Sequence, residues 1–339
     1  MTRSFCPAVL LAQLFVIGSA STAQQPTSDR PKGRVFAKGA WIETGRITDD
    51  GGRVLTNPRL LAARGDDVYV YDGGTQELIA FTRAGRGRAV WRAGRAGKGP
   101  SEFSNPVDLQ VAPNGDIHVL DSDVSRITIV DPGGHVVDMR TIAEPLHRIV
   151  PRRAGWWGAP LARPHILVPV TVDGKPGVED SDLTPADISQ LHILVREPHV
   201  APRPNGGAIV GFVWSSRLLV IDPDGELVAD LEGPERIPFA ALRSYTIEIP
   251  QKATVQRIDP KAHVGSRYVA VNDTMALVLF GGATRDRGKI VDRFDLRARR
   301  YVDSAKLPRQ PAALRIMGNS LVALELDPAP ALVFYEWRQ

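Results

Sequence analysis

Hydrophobic residues along this chain fall in short runs, not in long amphipathic stretches. Val68-Tyr69-Val70-Tyr71, Ile127-Thr128-Ile129-Val130, Leu218-Leu219-Val220-Ile221 and Ala276-Leu277-Val278-Leu279-Phe280 are rich in β-branched or aromatic residues, and Gly, Asp, Asn or Pro bound them. That pattern predicts short strands joined by tight turns. One small helix is expected, with Thr184 as its cap, Pro185 at the first helical position and Asp187 facing the first-turn N–H groups. It lies in a stretch that interrupts the strand pattern.

The runs repeat. Asp67-Val68-Tyr69-Val70-Tyr71-Asp72 returns 49 residues later as Asp116-Ile117-His118-Val119-Leu120-Asp121, and Asn57-Pro58 returns as Asn105-Pro106. Arg126-Ile127-Thr128-Ile129-Val130-Asp131-Pro132-Gly133-Gly134 returns 91 residues on as Arg217-Leu218-Leu219-Val220-Ile221-Asp222-Pro223-Asp224-Gly225, about two units of the first spacing. Each unit reads as four strands, and the Asp-Pro-Gly-Gly and Asp-Pro-Asp-Gly tetrads supply turn chemistry. The units fall at 57–96, 105–142, about 145–175, 190–235, 265–308 and 311–337, with insertions at about 171–190 and 236–264. The expected fold is therefore an all-β, six-bladed β-propeller of four-stranded antiparallel blades. The last unit lacks a fourth strand, and residues 34–43 form a strand-like segment that belongs to no unit. This N-terminal strand is expected to close the last blade and remove its open edge.

The second unit carries a more specific pattern. Gly94-Arg95-Ala96-Gly97-Lys98-Gly99-Pro100-Ser101-Glu102-Phe103 leads to Pro106, then to Asn114-Gly115-Asp116-Ile117, Arg126-Ile127 and the Asp131-Pro132-Gly133-Gly134 turn. These residues resemble an NHL-type repeat, and the chain is similar to the exported six-bladed propellers of bacteria. The resemblance implies the propeller fold and export; most such proteins have no assigned activity. None of the six Trp precedes Asp, which argues against WD40 blades.

The N-terminus refines the domain reading. Arg3 precedes an apolar run from Ala8 to Gly18, and the small residues Ser21 and Ala23 follow. Residues 1–23 therefore read as a signal peptide cut near Ala23, 24–33 as a disordered leader, and 34–339 as a single propeller domain. The run is too short for a membrane-spanning helix, which needs about 20 residues. The expected location is periplasmic or secreted. The single Cys, Cys6, leaves with the signal and excludes a disulfide framework. Cleavage removes Arg3 and no acid, so the formal net charge falls from +4 to +3.

Motifs for chemistry are sparse. The 94–101 loop has Gly99 after Gly97-Lys98, where a phosphate-cradling loop needs Ser or Thr, so it reads as an inter-blade turn. The seven His show no metal-binding spacing, His118 reads as a strand-face residue, and no Ser lies in a nucleophile elbow. Arg83, Arg86, Arg88, Arg92, Arg95 and Lys98 follow one another without an intervening acid; export argues against nucleic acid as their partner, and a solvated charged face is the simpler reading.

Topology places the turn into each inner strand and the turn after each second strand on one face, because two strand passes separate them. Asp72, Lys98, Glu102, Asp121, Asp123 and Arg126 are the candidate ligand face; the simpler role for Asp72 and Asp121 is to cap turns. The expected function is a binding or scaffold module, monomeric, with a protein or carbohydrate ligand on that face and no cofactor. The alternative is a hydrolase resembling the metal-dependent propeller lactonases and esterases, with calcium or another divalent metal held in the central channel. A sugar site built on Trp156, Trp157 or Trp214 is a third reading.

Overall fold

The structure, a computed structural model, describes residues 33–49, 53–83, 87–177, 183–249 and 251–339. The signal peptide and nearly all of the leader read from the sequence lie outside these residues, as does Arg86 of the basic run.

Six antiparallel sheets form the ring. Blade 1 comprises Pro58–Arg64, Asp67–Asp72, Glu77–Thr82 and Ala89–Ala93. Blade 2 comprises Pro106–Val111, Ile117–Asp121, Arg126–Val130 and Val136–Thr141. In blade 3, Leu146–Pro151, Trp156–Pro160 and Val168–Val170 pair as three strands, and the chain then leaves the sheet. Blade 4 runs from Pro198–Pro202 through Ala208–Phe212 and Ser215–Ile221 to Leu227–Glu232. Blade 5 runs from Ser266–Val271 through Met275–Phe280 and Ile290–Asp295 to Arg300–Lys306. The first strand of each blade packs on the first strand of the next, and the sixth returns to the first, so the inner strands circle a channel.

Blade 6 is completed from the other end of the chain. Ala313–Met317, Ser320–Glu325 and Ala331–Arg338 pair in order, and Ala40–Ile47 adds the outer strand antiparallel to Ala331–Arg338. Trp41 stands opposite Trp337 with ring centroids 5.2 Å apart, and Arg46 reaches Glu325, 1% exposed, at 2.9 Å. The segment before that strand clasps blade 5. Arg34 pairs with Asp292 at 3.0 Å and lies over the Phe280 ring at 4.0 Å, while Ala37 N donates to Ser304 O at 2.9 Å. The N-terminal segment thus ties two blades together and covers an otherwise open sheet edge.

The core lies between blades, where apolar faces of neighbouring sheets interdigitate. Tyr71, Phe81, Phe103, Phe212, Phe294 and Tyr335 are among its largest fully buried side chains, each contributing roughly 1.5–3 kcal/mol of apolar burial. Turn chemistry follows the tetrads. Gly134 has φ +90°, and a Cβ there would meet the Trp91 ring at 2.7 Å, so glycine is required.

One backbone hydrogen bond recurs where the chain enters an inner strand. Gly73 N donates to Asn57 O (2.8 Å), Ser122 N to Asn105 O (3.1 Å), Leu161 N to Pro145 O (3.1 Å), Val213 N to Glu197 O (3.0 Å) and Gly281 N to Gly265 O (3.1 Å). The five bonds align blades 1 to 5 residue by residue, even where sequence similarity is lost. The 236–264 insertion folds as a hairpin of Leu242–Ile249 with Gln251–Ile258. The expected helix is present as Ala186–Ser189, but the Thr184 hydroxyl accepts Ile166 N at 2.8 Å instead of capping it.

Candidate functional site

The predicted face is assembled as the topology requires, and its polar groups are engaged with one another. Asp121, 0% exposed, accepts Ser104 N at 2.7 Å, Asn105 N at 3.0 Å and Asp123 N at 3.2 Å. Asp72, also 0% exposed, accepts Thr56 N (2.7 Å), Asn57 N (2.8 Å) and Gly74 N (2.9 Å) one blade earlier. Burial pushes the Asp72 carboxyl up, but these backbone donors outweigh it and hold the pKa below the usual aspartate value. Arg126 donates to Lys98 O (3.1 Å), Gly99 O (3.2 Å) and Glu102 O (2.6 Å), and Glu102 accepts Gly99 N at 2.7 Å. Asp123 accepts the Ser104 hydroxyl at 3.2 Å and the Asn105 amide at 3.2 Å. Lys98 is exposed on the outside of this glycine loop.

Three members of the basic run have acidic partners that the run itself does not contain. Arg83 pairs with Glu336 at 2.5 Å, Arg92 with Glu77 at 2.8 Å and Arg95 with Glu102 at 2.8 Å. Trp156 and Trp157 are each 3% exposed and packed between blades, so neither offers a ring face to a sugar. Trp156 Nε1 donates to His118 Nδ1 at 2.7 Å, and burial lowers the His118 pKa to about 4, which keeps this ring neutral.

Charged residues that the sequence did not single out meet in the channel. Asp108 of blade 2 accepts Ile149 N of blade 3 at 2.7 Å, and Arg148 of blade 3 donates to Val107 O of blade 2 at 2.9 Å. Arg315 of blade 6 donates to the Tyr268 hydroxyl of blade 5, whose ring lies 6.2 Å from His199 of blade 4. Burial raises the Asp108 pKa despite the attraction of Arg148 and Arg315, and it lowers His199 to about 3, helped by Arg148. Each residue comes from the same short element, an inner strand, and no local motif links them.

On the lower face, where inner strands turn into second strands, the channel opens into a cavity of about 500 Å³. Arg64, Gln110, Arg203, Asn272, Asp273 and Arg315 bring its polar groups from five blades. Arg64 is held by Pro113 O at 2.7 Å, and the Arg203 Nε has no hydrogen-bond partner. Three guanidinium groups against one carboxylate suit an anionic ligand. The donor set does not suit the divalent metal of the hydrolase alternative: Asp108 faces two arginines, and among the described residues no three His, Cys, Asp or Glu side chains converge.

No family profile matches the chain, and no curated protein matches it in sequence. Solved structures do match in shape. One is a member of the DUF4221 family from Bacteroides vulgatus, with TM-score 0.55 and 9% identity, covering 91% of this chain and 99% of that one. Another is a candidate exported protein of Bacteroides fragilis, with TM-score 0.54 and 9% identity, covering 93% of this chain and 98% of that one. At such identity the likeness is one of fold alone, and the chain is a six-bladed β-propeller. Among the described residues no helix is long and apolar enough to cross a membrane.

Proposed function

We propose that the protein is an exported propeller that works by binding, and that the acidic group of a protein or carbohydrate ligand seats in the lower mouth of the channel. The observation that carries this reading is the convergence of Arg64, Arg203 and Arg315 from three blades on one cavity of about 500 Å³. The Arg64 guanidinium is braced by the carbonyls of Ala112 and Pro113, and that of Arg315 by Leu314 O and the Tyr268 hydroxyl, which favours rigid recognition over proton transfer. The residues of segment 1–23 and the likeness in fold to an exported protein support export.

The test is capture of acidic glycans and of envelope proteins by the wild type and by an Arg64→Gln/Arg203→Gln/Arg315→Gln variant. The wild type is expected to retain acidic ligands at least tenfold more tightly than the variant, with the difference shrinking as salt rises. Equal retention by both, or retention of neutral ligands alone, overturns the reading.

A protein partner on the upper face is the second reading, favoured by the exposed Lys98 on a loop held by Arg126 and Glu102. Lys98→Glu is the variant that tests it. Glu102 and Asp121 hold the turns themselves, so altering them changes the fold along with the surface.

A further inference from the structure

A second cavity, about 250 Å³, opens on the upper face between blades 3 and 4. Its walls are apolar: Val107, Pro160, Leu161, Ile166, Ile193 and Leu194. Leu161 and Leu194 form an exposed rim, at 45% and 43% exposure. Set among them are the guanidinium groups of Arg148 and Arg196 and the imidazoles of His147 and His165; burial, helped by Arg148, lowers the His147 pKa to about 4, so this ring is a neutral hydrogen-bonding group. Arg196 is only 7% exposed; it donates to the carbonyls of His165 and Arg163, and its Nε has no partner. Both ring nitrogens of His147 and Nδ1 of His165 are likewise buried without partners. The one acidic lining residue, Glu197, is exposed, and among the described residues no ion pair joins it to Arg196.

The blade alignment shows what this pocket lacks. Arg196 precedes Glu197 as Thr56 precedes Asn57 and Ser104 precedes Asn105. In blades 1 and 2, that position lies against the buried carboxylate of Asp72 or Asp121. The corresponding second-strand residue is Pro160 in blade 3 and Phe212 in blade 4. So neither blade around the pocket has the second-strand carboxylate; blade 3 carries Glu144 at the position of Ser104, paired with Arg163 at 2.8 Å, while blade 4 carries the buried Arg196 there. A buried cation without a counter-charge is costly, and a ligand anion relieves that cost.

We propose that this pocket binds a small monocarboxylate with a hydrocarbon body, its carboxylate taken by Arg196 and His147 and its tail lying along Leu161, Ile166 and Leu194. The site is separate from the lower mouth and does not rest on the function proposed for it. Such a ligand uses both features of the cavity, whereas an alcohol uses only the walls and an amine is repelled.

Calorimetric titration of octanoate, octanol and octylamine into the purified protein tests the assignment. Octanoate is expected to bind at least tenfold more tightly than either analogue. Arg196→Gln should weaken octanoate at least tenfold, and Arg203→Gln at the lower mouth should leave it unchanged. Because Arg196 also braces two carbonyls, Leu161→Asp on the exposed rim is the second probe; it should fold as the wild type does and weaken octanoate at least tenfold. Absence of octanoate binding, equal binding of octanol, or octanoate binding undiminished in Leu161→Asp overturns the proposal.

Discussion

Blades 2 and 3 are neighbours with the same opening geometry and opposite chemistry. In each, the second strand ends beside the turn that leads into the inner strand, and one backbone hydrogen bond (Ser122 to Asn105, Leu161 to Pro145) fixes the junction. Blade 2 fills that junction with its own carboxylate, Asp121, and the loop around Glu102 and Arg126 closes over it. Blade 3 has Pro160 at the same place, lacks an outer strand, and borders the pocket holding Arg148 and Arg196. The regular repeat is therefore the part of the molecule whose polar groups are spent on holding turns. The departure from it is where polar groups are left for a ligand.

Removing the carboxylate from blade 2 is the strongest way to break this contrast. Asp121→Ala leaves the N–H groups of Ser104, Asn105 and Asp123 without their acceptor in a buried junction. At roughly 1–3 kcal/mol for each buried group left unsatisfied, and less than additively, the loss should be about 3–4 kcal/mol in denaturant unfolding. Pro160→Ala, at the matching position of blade 3, should stay within about 1 kcal/mol, because no hydrogen bond depends on it. Equal effects at the two positions would remove the distinction between a locking blade and an open one. Asp72 adds a pH signature. Its pKa lies below the ordinary value, so its stabilisation is full above about pH 4 and is lost as pH falls through the lower folded value.

The seam between the two blades should fail at a higher pH. His118 of blade 2 accepts the indole N–H of Trp156 in blade 3 and is buried with its pKa lowered from 6.5 to about 4. The folded state binds this proton less readily than the unfolded chain, so stability is complete above about pH 6.5 and declines as pH falls toward 4. At about 1.4 kcal/mol per pH unit, the decline from this group approaches 3 kcal/mol. His118→Phe should be less stable at pH 7, since it leaves the indole N–H unpaired, yet show a flatter stability profile between pH 6.5 and 4. An unchanged slope would mean that His118 does not carry the acid sensitivity of the seam.

The same contrast explains what could be read before the structure was known. Strands, blade order and closure by the N-terminal strand were legible because they rest on period-two patterning and turn residues, which are local. The rim residues were legible too: Asp72 and Asp121 stand at one offset in a repeated phrase, and that regularity reflects the turn-holding bonds they make. Arg148, His199, Tyr268 and Arg315 were not legible, since each lies alone on its own inner strand and only closure of the ring brings them together. Arg196 stands just before the first strand of its unit, where no repeated phrase marks it, and the Trp156-Trp157 pair obscured the alignment that would have shown Pro160 at the place of Asp121. The acids opposite Arg83 and Arg92 were equally invisible, because the packing of blade 6 on blade 1 supplies Glu336 and sheet register within blade 1 supplies Glu77.

The finest test restores the blade 2 residue to blade 3. Pro160→Asp places a carboxylate at the position that Asp121 occupies one blade earlier, on the wall of the cavity that holds Arg148 and Arg196. Stability should change by no more than about 1 kcal/mol, since the new charge meets cations already present. Octanoate binding should nevertheless fall at least tenfold, because the protein then supplies its own anion. A variant that keeps octanoate affinity would show that the missing carboxylate is not what makes this pocket receptive, and that blades 2 and 3 differ in strand number alone.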